Sequence, residues 1–110
     1  MGVTKSEKFT DEQNTLSQLA KTIGHPARIA ILQQIIKENT CICGDLVNEI
    51  GLAQATISQH LKELKNAGII KGNIEGTSVC YCIDDEKWSQ MSSIFSNFLN
   101  QDKSETETCC

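Results

Sequence analysis

With 110 residues, of which 39% are hydrophobic and 5% aromatic, the chain can build one small domain with a modest core. A formal net charge of −4 is unusual for a nucleic-acid binder, and no apolar run is long enough to span a bilayer. The acid is unevenly spread: residues 84–110 hold six acidic and two basic side chains, whereas residues 21–83 hold six basic and five acidic ones.

The middle of the chain is therefore near neutral. Any DNA binding there gains little from bulk charge, so two half-sites read by a dimer are expected. The start lacks a basic-then-apolar signal pattern, which points to the cytoplasm. In that reducing compartment six cysteines read as ligands or sensors rather than structural bridges.

Residues 1–12 are polar and expected to be flexible. Leu16, Leu19, Ala20 and Ile23 recur at helical spacing and predict a first helix. Gly24-His25-Pro26 punctuates the chain, and Pro26 suits the first position of a second helix. Ile29, Leu32, Ile35 and Ile36 are its expected apolar face. Arg28 is expected to be exposed or to bond a neighbouring helix terminus. His25, with no ligand-type partner at helical spacing, reads as structural. Thr40 to Cys43 fits a short strand.

Residues 45–70 carry the strongest pattern. Leu46, Val47 and Ile50 give a short apolar face, Gly51 breaks it, and Ile57, Leu61 and Leu64 form the stripe of a second helix that Gly68 ends. A short helix, a glycine turn and a longer helix with a polar outer face describe a helix-turn-helix. With the stripe inward, Ala55, Thr56, Gln59, Lys62 and Asn66 face outward, with Ser58 and Glu63 at the flanks and Gln54 at the start. Amides and hydroxyls suit base edges, and a lysine suits a phosphate. An ordinary solvated helix face is the competing reading.

Ile69 to Ile74 reads as a strand, Glu75-Gly76-Thr77 as a turn, and Val79, Tyr81 and Ile83 alternate with Ser78, Cys80 and Cys82 as a second strand. A hairpin directly behind a reading helix is a wing. Lys71, Asn73 and Thr77 are its candidate DNA contacts; a plain solvent-facing hairpin is the alternative. Asp84 and Asp85 favour a helix start. Trp88, Met91, Ile94, Phe95, Phe98 and Leu99 then make a wide apolar stripe, expected to form a dimer seam with the first helix. From Asn100 the composition turns polar. The expected organisation is a flexible segment 1–12, a winged helix-turn-helix at 13–99 and a flexible acidic tail at 100–110. The fold expected is mainly α with a small β-hairpin, in the order α-α-β-α-α-β-β-α, and dimeric.

The pattern resembles the ArsR/SmtB family of winged-helix transcriptional repressors. The resemblance rests on Gly24-His25-Pro26-Ala27-Arg28 with Ile31-Leu32, Gly44-Asp45-Leu46, Ile57-Ser58-Gln59-His60-Leu61, Ala67-Gly68-Ile69-Ile70 and Val79-Cys80-Tyr81. It implies a homodimer that binds double-stranded operator DNA and leaves it when a metal, a metalloid or, in some members, an oxidant engages its thiols. His60 matches a position the family commonly keeps; lying beside the apolar stripe, it is expected to pack or cap rather than read bases. One zinc-type site of the family uses Asp and His on the last helix, and residues 84–99 contain no His. Cys41-Ile42-Cys43 resembles the Cys-x-Cys of arsenic and cadmium sensors, although here the cysteines fall two and four residues before Asp45 instead of one and three.

Soft ions prefer thiolates, and tight sites take three or four. Cys41/Cys43 and Cys80/Cys82 are each spaced i, i+2, hence on one face if both segments are strands. In a winged helix those strands usually pair, which would bring the four thiols together. Cys109 and Cys110 end a polar tail and could close over an ion held by Cys41 or Cys43. The expected ligands are thus Cys41, Cys43, Cys109 and Cys110, with Cys80 and Cys82 behind them. The expected inducer is arsenite, As(III), with Zn or Cd as alternatives and no organic cofactor. A Cd, Zn or Pb sensor and a thiol–disulfide switch are the runners-up within regulation. A protein-only interaction module is a third reading. No nucleophile–base pair or phosphate loop supports an enzyme.

Overall fold

The computed structural model describes residues 7–38, 49–75 and 78–101. Four helices and one hairpin are described: α1 (Asp11–Ile23), α2 (Pro26–Glu38), α3 (Gln54–Asn66), β1 (Ile70–Glu75), β2 (Ser78–Ile83) and α4 (Asp85–Leu99). The expected strand at Thr40–Cys43 and most of the first helix of the helix-turn-helix lie outside the described residues. Glu49 and Ile50 are helical and lead into the turn at Gly51.

Three of the four helix starts have a local cause in a cap or a proline. Thr10 caps α1 through a capping box: its hydroxyl accepts from the Gln13 N–H, and the Gln13 side chain accepts from the Thr10 N–H, both at 3.0 Å. Acidic Asp11 and Glu12 then fill the first turn. The helix therefore begins at Asp11, earlier than the apolar spacing alone suggests. Pro26 opens α2, and the His25 carbonyl accepts from the Arg28 and Ile29 N–H groups. Asp84 caps α4 by accepting from the Lys87 N–H at 3.1 Å.

One core holds these elements together. Leu19 of α1, Ile31, Leu32 and Ile35 of α2, Ile57, Leu61 and Leu64 of α3, Ile69 just before β1, Ile70 of β1 and Met91 of α4 pack as a single buried cluster. The apolar face of α2 differs from the one expected. Ala27, Ile31, Leu32 and Ile35 are buried, while Ile29 and Ile36 are exposed. Ala27, Ile31 and Ile35 follow a strict i, i+4 row, whereas Ile29 and Ile36, seven apart, fall together on the opposite side. Apolarity misled there; angle decided.

The strands pair antiparallel, from Ile70 opposite Ile83 to Glu75 opposite Ser78. Ile70 is the first β residue because the Ile69 N–H is already used by the helix before it. The hairpin packs back on α2 and α3, and α1 touches both α3 and α4.

Candidate nucleic-acid interface

The reading helix α3 is anchored by its stripe and by its end. Ile57 and Leu64 are at most 2% exposed, so the helix cannot roll without opening the core. Its C-terminus is a Schellman motif: the Gly68 N–H donates to Lys65 O at 2.9 Å and the Ile69 N–H to Leu64 O at 3.1 Å. Gly68 sits at φ 83°, which a side-chain-bearing residue adopts only with strain. Gly51, in the turn that delivers the helix, has φ 84° for the same reason. Two left-handed glycines thus bracket the helix and set its entry and exit.

With that orientation, Gln54, Ala55, Thr56, Ser58, Gln59 and Lys62 are all exposed, as are Lys65 and Asn66. Gln59 donates from its amide to Glu63 Oε2 at 3.2 Å, one turn further on, so its rotamer is held until a stronger partner arrives. The first turn carries no acid and the N-cap Ala53 makes no side-chain bond. The positive end of the helix dipole is therefore not neutralised locally, which suits an approaching anion.

Beneath this face lies a polar clamp that spacing alone does not reveal. Arg28 donates from Nε to His60 Nδ1 at 3.0 Å and from a terminal nitrogen to the Thr22 carbonyl at 2.9 Å. The second bond is the expected contact with a neighbouring helix terminus; the first ties α2 to α3. His60 is buried and meets the His25 ring at a tilt of 54°, with ring centroids 4.5 Å apart. His25 Nδ1 accepts from the Ala27 N–H at 3.0 Å, a local bond at the start of α2. Burial first, then the nearby His25 and Arg28, push the His60 pKa below its ordinary value, against an opposing pull from Glu63. The sequence signalled only that His60, three residues after Ile57, lies beside the inward stripe of α3; its partner Arg28 comes from the fold.

In the wing, Lys71 is exposed and stands opposite Cys82; Asn73 stands opposite Cys80. Thr77 lies outside the described residues. Cys80 and Cys82 are half-buried and disulfide-bonded. Cys41, Cys43, Cys109 and Cys110 lie outside the described residues. Among the described residues no group of three or more His, Cys, Asp or Glu side chains is placed to hold a metal ion. The last helix offers Asp85 and Glu86 but no histidine, so its residues do not fit the Asp/His zinc site. No helix among the described residues is long and apolar enough to cross a membrane.

A buried apolar stripe, an exposed polar face and a β-hairpin immediately behind define a winged-helix DNA-binding regulator. Residues 25–71 match the family described as bacterial regulatory protein, arsR family. A cadmium resistance transcriptional regulatory protein CadC homolog of Staphylococcus aureus is 34% identical over 102 residues, covering 90% of this chain and 82% of that protein. An uncharacterised helix-turn-helix transcriptional regulator of Methanocaldococcus jannaschii is 38% identical, covering 64% of this chain and 80% of that one. The solved transcriptional repressor BigR of Xylella fastidiosa shares the fold, with a TM-score of 0.62 at 24% identity over 94% of this chain and all (100%) of its own. The chain belongs to the ArsR/SmtB family of transcriptional regulators.

Proposed function

We propose that the protein is a repressor that grips double-stranded operator DNA as a homodimer and releases it when a thiophilic ion, foremost arsenite, engages its cysteines. The observation that carries the DNA half is the exposed face of α3 on a helix locked at both ends. Gln54, Ala55, Thr56, Ser58 and Gln59 face base edges, Lys62 and Lys71 approach phosphates, and Asn73 contacts the flanking groove. α1 and α4 supply the dimer seam, where Phe98 and Leu99 are exposed. Two copies then present two reading helices to two half-sites.

The inducer half rests on thiol chemistry and on the similarity to a cadmium-resistance regulator. Cys41, Cys43, Cys109 and Cys110 are the thiols assigned to the ion. Cys80 and Cys82 join only when reduced, because a disulfide sulfur is no thiolate. The ion acts by linkage: it binds the free dimer more tightly than the DNA-bound dimer, so it lowers DNA affinity. The disulfide state of Cys80 and Cys82 favours a second reading, in which oxidation itself is the signal.

Fluorescence anisotropy on a duplex from the promoter upstream of the protein's own gene separates these readings. Reduced protein is titrated with arsenite, zinc and cadmium in parallel, and a separate sample is oxidised without metal. Release at near-stoichiometric arsenite supports the proposal. Release by oxidation alone, reversed by a thiol reductant, moves the function to the redox reading.

A further inference from the structure

One guanidinium joins three elements beneath the reading helix. Arg28, in the first turn of α2, reaches the last turn of α1 through the Thr22 carbonyl and the middle of α3 through His60. A guanidinium offers two donors in a fixed fork; a lysine offers a point charge that cannot serve both acceptors in that plane. For His60 Nδ1 to accept, the ring must be neutral with its proton on Nε2. His60 as a whole is 8% exposed. The ionisable groups that face it are His25 at the start of α2, Arg28 on α2, and Glu63 one turn further along α3 itself.

We propose that the Arg28–His60 contact is a positioning device that sets the reading helix against its scaffold and makes operator binding proton-sensitive, an inference that rests on the DNA-binding reading above. Protonation places a hydrogen on Nδ1. The Arg28 Nε–H then faces another donor and a like charge, and the contact opens. Arg28 keeps its bond to Thr22, so α1 and α2 stay joined while α3 loses its tie at the residue next to Gln59. Neither Arg28 nor His60 touches DNA; both act through the pose of α3.

The sign follows from the environment of the ring. Folding holds the His60 pKa below that of an ordinary imidazole, so the folded state resists the proton. The stabilisation is complete above about pH 6.5, the ordinary imidazole value, and is lost as pH falls through the lower folded value. One linked proton per subunit sets a ceiling of about tenfold per pH unit for each subunit.

The test is operator anisotropy from pH 8 to pH 5 at fixed ionic strength, with circular dichroism at each pH to confirm folding. The probe is the promoter duplex upstream of the protein's own gene. Wild type is expected to weaken progressively as pH falls below about 6.5, by no more than about tenfold per pH unit for each subunit. His60→Gln keeps an oxygen that accepts from Arg28 but does not titrate; it should bind like wild type at pH 8 and stay flat. Wild-type affinity that is flat, or that rises on acidification, overturns the proposal. An equal slope in His60→Gln does so too, since it assigns the proton to His25, which both proteins keep. Should His60→Gln fail to fold, Arg28→Lys decides: lower affinity with a shallower slope supports the clamp, and an unchanged slope overturns it. Wild type that fails to bind the duplex at pH 8 and low salt removes the DNA-binding reading and the clamp with it. Tight but pH-independent binding removes the clamp alone.

Discussion

Around the start of the hairpin, Leu64, Ile69, Ile70 and Ile31 are at most 2% exposed, and the backbone between α3 and β1 is closed by two helix-end hydrogen bonds. At the far end of α4, Phe98 and Leu99 stand 52% and 72% exposed, and Phe9 ahead of α1 is 56% exposed. The first region completes its burial within one chain. The second does not, and its uncovered side chains are large and apolar. A protein of this size has little core to spare, so the contrast separates what a single copy stabilises by itself from what a second copy is asked to cover.

Four variants break or sharpen that contrast. Leu64→Ala should be the most damaging, because its side chain is wholly buried at the centre of the cluster. A loss of about 3 kcal/mol is expected in urea or thermal unfolding, with DNA binding lost in parallel. A double change of Phe98 and Leu99 to Ser should leave monomer folding intact and weaken self-association by about 2 kcal/mol, read by sedimentation as a dissociation constant raised about thirtyfold. An unchanged constant would place the dimer seam elsewhere, with exposed Ile29 and Ile36 of α2 next in line. Gly68→Ala should cost about 1 kcal/mol by thermal unfolding. An added Cβ would meet only the Lys87 side chain, at 3.9 Å (Cε) and 4.0 Å (Cδ), so the loss reports backbone conformation and not crowding. Thr10→Ala removes one half of the capping box and should cost about 0.5–1 kcal/mol, seen as faster amide exchange in the first turn of α1. Little change in DNA affinity is expected from it.

The reading helix was legible because its information is local. Ile57, Leu61 and Leu64 repeat with the helical period, and Gly68 marks the end where the structure has its left-handed residue. The exposure of Gln54, Ala55, Thr56, Ser58, Gln59 and Lys62 follows from the same geometry. The face of α2 was half legible: a run rich in isoleucine offers more apolar residues than one side can bury, and only packing against α3 and β2 selects among them. The clamp was not legible. Arg28 and His60 lie 32 residues apart, and nothing in their spacing announces that folding brings them within 3.0 Å. The thiol chemistry stays a matter of composition and resemblance, because four of the six cysteines lie outside the described residues.

Ile69 serves two joints at once. Its N–H closes the end of α3, and its carbonyl accepts from the Asp84 N–H at 3.0 Å, the residue that caps α4. β1 begins one residue later at Ile70, and β2 ends at Ile83, immediately before that cap. Neither joint has a spare residue to absorb motion. The assembly is therefore geared: a turn of α4 about its first residues is delivered to the last turn of α3 through the single residue Ile69. A perturbation at the unfinished end of the molecule needs no messenger loop to reach the helix that faces outward, because the two share an axle.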